Sequence, residues 1–262
     1  MAISTEVLVC GAGCAGLTAA LAAARNGAKV LLVERAGFAG GIITCVGLSF
    51  FDGIADYYTK KVVTPGIPLE LFSKSGECAP DAKKLHSHNP EIHNVERFKH
   101  LADTLILAEG SKLKALYHSF ICGVKMKGDR ISAVRVANKD GLNDIEARVV
   151  IDCTGDGDLA AWSGAPLLKM PSLQPMTMHW RVGNVTIPPG GMTELHRLMK
   201  VECEAAHAAG ELPFFYGPWA GTSFAPNELR FHCIRVPGDA TNAEDLTRAE
   251  MQGRKDCWTM YE

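Results

Sequence analysis

Two glycine turns stand out as places where a phosphate-bearing ligand could be held. Cys10-Gly11-Ala12-Gly13-Cys14-Ala15-Gly16 has the spacing G-x-G-x-x-G, and Asp152-Cys153-Thr154-Gly155-Asp156-Gly157-Asp158 forms a second turn mid-chain. In the first, Gly11 permits a tight turn, Gly13 lets backbone approach a pyrophosphate, and Gly16 lets a helix pack against a strand. The start of that helix offers N–H groups and partial positive charge to phosphates. Glu34 stands about twenty residues on, where a carboxylate accepts hydrogen bonds from a ribose and repels a 2′-phosphate. The chemistry is the binding of a dinucleotide, with NADP disfavoured.

These residues need a strand, a helix and a second strand to hold them. Residues 6–10 are a short apolar run suited to a buried parallel strand. Residues 17–26 are alanine-rich, with Leu17 and Leu21 on one face, and read as a helix that Gly27 stops. Residues 29–34 are a second apolar strand and complete a βαβ unit. Gly40 and Gly41 follow in a glycine-rich stretch. Residues 54–90 read as a polar, irregular excursion, and 91–110 as a helix with Val95, Phe98, Leu101, Leu105 and Ile106 on one side. Residues 112–137 read as two or three strands, with turns at 127–129 and 138–141. Residues 147–153 are again apolar, so the chain makes a β-meander and returns to one sheet. Beyond Pro166, prolines punctuate the chain. There 176–182 and 229–236 read as antiparallel strands and 193–210 as a helix. A last helix starts at Asn242, with Glu244 and Asp245 in its first turn.

Composition narrows the function classes. The chain has 262 residues, 47% of them hydrophobic, which is enough for the core of one or two domains. A formal charge of −2 gives no basic face, so nucleic acid is not an expected partner. The apolar run 7–24 is broken by glycines and Thr18 and preceded by Glu6, unlike a signal peptide or a spanning helix. A cytoplasmic protein without membrane attachment is expected. Nine cysteines without a C-x-x-C pair read as reduced thiols used as small core residues.

The motifs together resemble a family. The second turn, with Gly40-Gly41, resembles the signature of two-dinucleotide-fold flavoproteins, in which that turn closes over FAD. Asn138-Lys139-Asp140-Gly141, the turn from Ile151 to Asp158, and Ser163-Gly164-Ala165-Pro166 are similar to the FAD-dependent oxidoreductase family that includes the flavin subunit of heterodisulfide reductase. Gln174-Pro175-Met176-Thr177-Met178 and Leu246-Thr247-Arg248-Ala249-Glu250 extend the likeness over nearly the whole chain. The resemblance implies FAD rather than NAD, and it implies the contacts. Gly11, Gly13, Ala15 and Gly16 would face the pyrophosphate, with Glu34 and Arg35 near the adenosine ribose. Gly41 and Thr44 would line the route to the flavin, and the backbone of Ile121 would meet adenine. Thr154, Gly155 and Asp156 would close the second turn. Asp158 matches the family and equally suits a cap for the helix that follows. Family members are considerably longer and end in a segment that contacts the flavin. The expectation is therefore a C-terminally truncated chain that by itself binds FAD weakly or not at all.

Other candidates carry less. Cys45 would pass the flavin, but an iron–sulfur or redox role needs partner cysteines and none is near in sequence, so packing is preferred. Cys14 opens a helix, where the dipole favours thiolate; a small residue filling the turn is preferred. His86, His88 and His93 form the densest histidine group, in polar surroundings that read as solvated loop, so no metal site is assigned. His179 and Arg181 alternate with Met178 and Trp180, so one strand face suits either a substrate site or structural pairing. Gln174 and Thr177 approach the flavin by analogy with the family. No catalytic residue is assigned.

The fold class is α/β: a three-layer, Rossmann-like FAD/NAD(P)-binding domain with a β-meander, and a partial mixed α+β substrate domain. The expected division is 1–165 for the FAD-binding domain, 166–241 for the partial substrate domain and 242–262 for a terminal helix. The expected function is an FAD-dependent oxidoreductase passing hydride between a small-molecule substrate and flavin. The alternative is a non-catalytic fragment or subunit, completed by a second chain or by self-association. A NAD-dependent dehydrogenase is disfavoured by the second glycine turn.

Overall fold

Short apolar strands alternating with an alanine-rich helix build the parallel half of the first unit. The computed structural model describes residues 3–76, 78–79, 81–86, 91–92 and 94–262. Strand β1 (Ile3–Cys10), helix α1 (Cys14–Arg25) and strand β2 (Val30–Val33) form the βαβ unit. Then come α2 (Ile42–Val46), α3 (Ile67–Ser75), α4 (Val95–Ala108), and strands β3 (Leu113–Leu116), β4 (Phe120–Lys127), β5 (Arg130–Asn138) and β6 (Gly141–Asp152). The short helix α5 (Asp158–Trp162) follows. The strands run β3-β2-β1-β6-β5-β4 in one sheet, parallel from β3 to β6 and antiparallel through β5 and β4. Compact units span Met1–Leu167 and Leu168–Glu262.

The long strand β6 belongs to two layers. Its first half pairs with β5, and its second half pairs with β1, ending with Cys10 opposite Asp152. Leu17, Leu21, Phe72, Phe98 and Leu105 cover one face of the parallel strands. On the other face Leu8, Cys10 and Val33 pack against Val134, Val136 and Ile145 of the meander and Leu159 of α5. These are the three layers, and the fold is a Rossmann-like dinucleotide-binding domain.

The stretch 54–90 is not wholly irregular, which corrects the sequence reading. Gly66 precedes α3, Pro68 sits in its first turn, and Gly76 ends it in the left-handed conformation. Its Leu69, Leu71 and Phe72 are buried, and its Glu70 pairs with Arg25 at 2.6 Å. The helix reads as polar only when its charged outer face is averaged in. The return strand also starts earlier than residue 147: residues 141–146 pair with β5, and the polar Asn143, Asp144 and Glu146 among them are held by that ladder while Ile145 is buried.

In the second unit, β7 (Met176–Val182), β8 (Ala220–Thr222) and β9 (Leu229–Val236) form an antiparallel sheet in the order β7-β9-β8. Helices α6 (Gly191–Ala208) and α7 (Ala243–Tyr261) supply Cys203, Leu195, Met199, Ala249 and Cys257 to its packed side. The Asn242 side chain caps α7 by accepting from the Glu244 and Asp245 amides. Among the described residues, no helix is long and apolar enough to cross a membrane.

Candidate cofactor site

The site forms where β1, β2 and β6 end. The Gly11 amide donates to the Val33 carbonyl at 2.8 Å, and the Cys153 amide to the Cys10 carbonyl at 2.9 Å, so the two glycine turns leave the sheet side by side. Gly11 has φ +97°, and a Cβ there would lie 2.3 Å from the Cys153 carbonyl oxygen. A side chain is excluded twice, by conformation and by the neighbouring turn. A Cβ on Gly16 would lie 1.7 Å from the Gly11 carbonyl oxygen, so helix α1 sits directly on the turn.

Gly13 differs in kind. Its φ is −66°, and a Cβ would meet only the Gly41 Cα, at 3.9 Å. Nothing in the fold itself requires glycine there. Gly13 is the N-cap of α1 and supplies no side-chain cap, and Cys14 and Ala15 in the first turn are exposed. The residues thus leave backbone N–H groups and open space where a phosphate group fits. Gly41 closes the other side: its φ is +56°, and a Cβ there would lie 2.8 Å from the Gly13 Cα.

Glu34 is buried, and both its oxygens accept: Oε2 from the Ala12 amide at 2.7 Å and Oε1 from the Ala36 amide at 2.8 Å. It braces the glycine turn directly, which sequence reasoning missed. A carboxylate has about four lone-pair sites, so acceptor capacity remains for ribose hydroxyls. Arg35 is exposed beside it and acts electrostatically on Cys45 and Asp158. The amides of His118 and Ser119 donate to the Ala36 and Glu34 carbonyls. That brings the start of β4, with Ile121 half-buried against the core cluster that includes Val33, to the Glu34 end of the site.

Thr44 is buried, and its hydroxyl donates to the Ala39 carbonyl at 2.9 Å while its methyl group packs on Gly40. It holds the Gly40-Gly41 turn in shape. Asp152 does the same for the second turn. Its Oδ1 accepts from the Thr154 amide at 3.1 Å and the Thr154 hydroxyl at 2.7 Å, and its Oδ2 from the Ala160 amide at 3.1 Å. Burial pushes this carboxyl up, but the hydrogen bonds prevail and hold it below the ordinary carboxylate range. Gly155 and Asp156 are exposed at the tip. Asp158 is the first residue of α5 and makes no side-chain cap, so the capping role is corrected: its amide instead donates to the Thr154 hydroxyl at 2.9 Å. Burial first, then the charges of Asp156 and Asp152, raise its carboxyl.

The cysteines divide. All nine are free; Cys10, Cys203, Cys233 and Cys257 are buried, whereas Cys14, Cys45 and Cys122 are exposed. Cys45 is therefore not a packing residue, because α2 turns its Ile42, Cys45 and Val46 outward. Desolvation pushes the Cys14 thiol up, so the helix start does not make it a thiolate. Among the described residues no group of three His, Cys, Asp or Glu side chains is placed to hold a metal. His88 and His93 of the histidine group, and Ser87 and Asn89 beside them, lie outside the described residues.

Comparison with known proteins gives the lineage. A family model described as FAD dependent oxidoreductase matches residues 6–262. A curated relative, the digeranylgeranylglycerophospholipid reductase of Picrophilus torridus, is 27% identical over 169 residues, which cover 63% of this chain and 43% of that protein. A geranylgeranyl bacteriochlorophyll reductase-like protein from Thermoplasma acidophilum superposes with a TM-score of 0.50 at 21% identity, covering 72% of this chain and 49% of that one. The aromatic hydroxylase CabE of angucycline biosynthesis superposes with a TM-score of 0.51 at 16% identity, covering 95% and 48%. These two likenesses bear on the fold. The chain spans less than half the length of each of the three.

Proposed function

The chain belongs to the FAD-dependent oxidoreductase family, whose cofactor is FAD, and from that premise we propose that its first unit holds the adenosine and pyrophosphate end of FAD while the protein passes hydride between a small-molecule substrate and the flavin. The observation that carries this reading is the open space over Gly13, beside the uncapped start of α1, in a turn whose other two glycines, Gly11 and Gly16, admit no side chain. FAD supplies the hydride chemistry when bound; the protein binds, orients and shields.

The roles follow from position. Backbone N–H groups of Gly13, Ala15 and Gly16 bind the pyrophosphate, and Gly11 fixes the turn that presents them. Glu34 accepts from the ribose with its spare lone pairs, and its negative charge turns away a 2′-phosphate. Arg35, exposed next to it, lends positive charge to the phosphate side. The Ile121 strand closes the adenine end. The Thr154, Gly155 and Asp156 turn covers the cofactor from β6, and Gly41, held by Thr44, limits it on the opposite side. The kinship to the flavin subunit of heterodisulfide reductase rests on the sequence motifs alone.

The test is the visible spectrum of the purified chain with and without added FAD, beside a titration with NAD. Flavin bands that shift on mixing, with saturable binding, support the reading. NAD binding more tightly than FAD overturns it.

A further inference from the structure

The antiparallel sheet of the second unit has one packed side and one side rich in bases, where Arg181 pairs with the Glu228 carboxylate at 3.6 Å. Residues opposite each other in an antiparallel pair share a face. Thr177 is opposite Arg235, and Arg181 is opposite Arg230, so these four share the side away from Trp180, Phe231 and Ile234. His179 lies between Thr177 and Arg181 on β7, and its ring is 6.3 Å from that of His232. Burial, then His179, Arg230 and Arg235, lower the basicity of His232, so its charged neighbours are all bases. Arg230 is buried, its guanidinium 3.3 Å from where a Cβ on Gly221 would lie.

Arg235 is the least satisfied of the group. Its Nε is buried and has no hydrogen-bond acceptor among the described residues, and its guanidinium lies over the Tyr216 ring at 4.0 Å. Trp219 stacks on His232 with centroids 6.4 Å apart and planes 15° apart. Trp219 and Tyr216 are both about half exposed, at 50% and 55%. Guanidinium forks match planar oxyanions, and exposed aromatic rings beside them offer a surface to an apolar body.

Resting on the oxidoreductase reading above, we propose that this sheet face is a substrate subsite for a small organic oxyanion with an apolar or aromatic body. Arg235 and Arg230 take the charged head, and Trp219 and Tyr216 flank the body. The residues that build it all lie in the second unit, so the subsite is testable without the flavin.

The experiment titrates the full chain, without added FAD, with phenylacetate, phenyl phosphate and the neutral phenylacetamide, followed by Trp fluorescence and calorimetry. Binding of either anion about tenfold or more tighter than the amide is expected, with a loss of about tenfold in Arg235→Gln. Thr177→Glu, at an exposed position opposite Arg235, places a carboxylate on the face and is expected to weaken the anions without affecting the melting temperature. Preference for phenylacetate over phenyl phosphate identifies a carboxylate head, and the reverse a phosphate. The proposal is overturned if neither anion binds better than the amide, or if both folded variants bind as the parent does. FAD titrated separately keeps the two readings apart: failure to bind FAD strikes the cofactor reading and leaves the anion result standing.

Discussion

Gly13→Ala separates a cofactor role from a folding role. The backbone φ of −66° is one that any L-residue accepts, and the new Cβ would touch only the Gly41 Cα, at an ordinary 3.9 Å. The unliganded protein therefore loses nothing. It gains about 0.4–1 kcal/mol through the stiffer unfolded chain, so its melting temperature holds or rises slightly. The methyl group instead fills the space through which a phosphate reaches the α1 amides. Losing one charge-assisted hydrogen bond costs about 1.5–3 kcal/mol, or roughly ten- to 150-fold in affinity. The assay is equilibrium titration with FAD and with ADP, which carries only the adenosine and pyrophosphate end, paired with a thermal melt of the unliganded chain. Both ligands should weaken together while the melt stays put. Unchanged affinity for both, with an unchanged melt, would refute the assignment of this turn to the pyrophosphate.

The remaining predictions concern how the site is held. Gly16→Ala drives a Cβ to 1.7 Å from the Gly11 carbonyl oxygen, so it should cost about 1–3 kcal/mol and lower the unliganded melting temperature, the opposite of Gly13→Ala. Glu34→Gln leaves one of the Ala12 and Ala36 amides facing an NH₂ group; urea unfolding should show a loss of about 1–3 kcal/mol even without ligand. Asp152 titrates below its ordinary value of 3.8 in the folded state, so its contribution is present above that pH and is lost as pH falls through the lower folded value. Melts from pH 6 down to roughly pH 2 should therefore fall less steeply in Asp152→Asn than in the parent, and equal slopes would count against the hydrogen bonds around Thr154.

Much of the fold was legible because burial follows short-range pattern in this chain. Strands 176–182 and 229–236 and the Asn242 start of the last helix stand where the sequence puts them, since apolar runs and an N-cap are local signals. Helix α3 was not read, although Pro68 and Gly76 mark its ends, because its apolar residues are few and Glu70 and Lys74 dilute them. The first half of β6 is polar for another reason: its first residues are held by backbone pairing to β5, which needs no apolar alternation. At the site, the glycine spacing identified the turns. It held no sign that Glu34 grips Ala12, or that Thr44 and Asp152 spend their polar groups on backbone. The Glu34–Ala12 contact joins different segments, which the parallel register of β1 and β2 brings together. The Thr44 and Asp152 bonds are local and depend on turn geometry that the residue types alone do not spell out.

That register also explains why two motifs some 140 residues apart act as one. Cys10 is opposite Asp152, and both strands end there, so the next residues of each must turn at the same level. Gly11 then has the Cys153 carbonyl where its side chain would be, and Gly16 has the Gly11 carbonyl. Each glycine is dictated by a neighbour already fixed by buried strands, since Leu8, Val9 and Cys10 are wholly inaccessible. Gly13 alone in the turn is released from that chain of constraints. A position that the fold leaves free, in the midst of positions it does not, is where the demand of a ligand is most cleanly read. The preorganised turn costs nothing further when a phosphate arrives, because its shape is set by Glu34, Thr44 and Asp152 beforehand. Substitutions at those three side chains should accordingly weaken the cofactor by loosening the turn, and the loss should track the stability of the unliganded protein, whereas the loss at Gly13 should not.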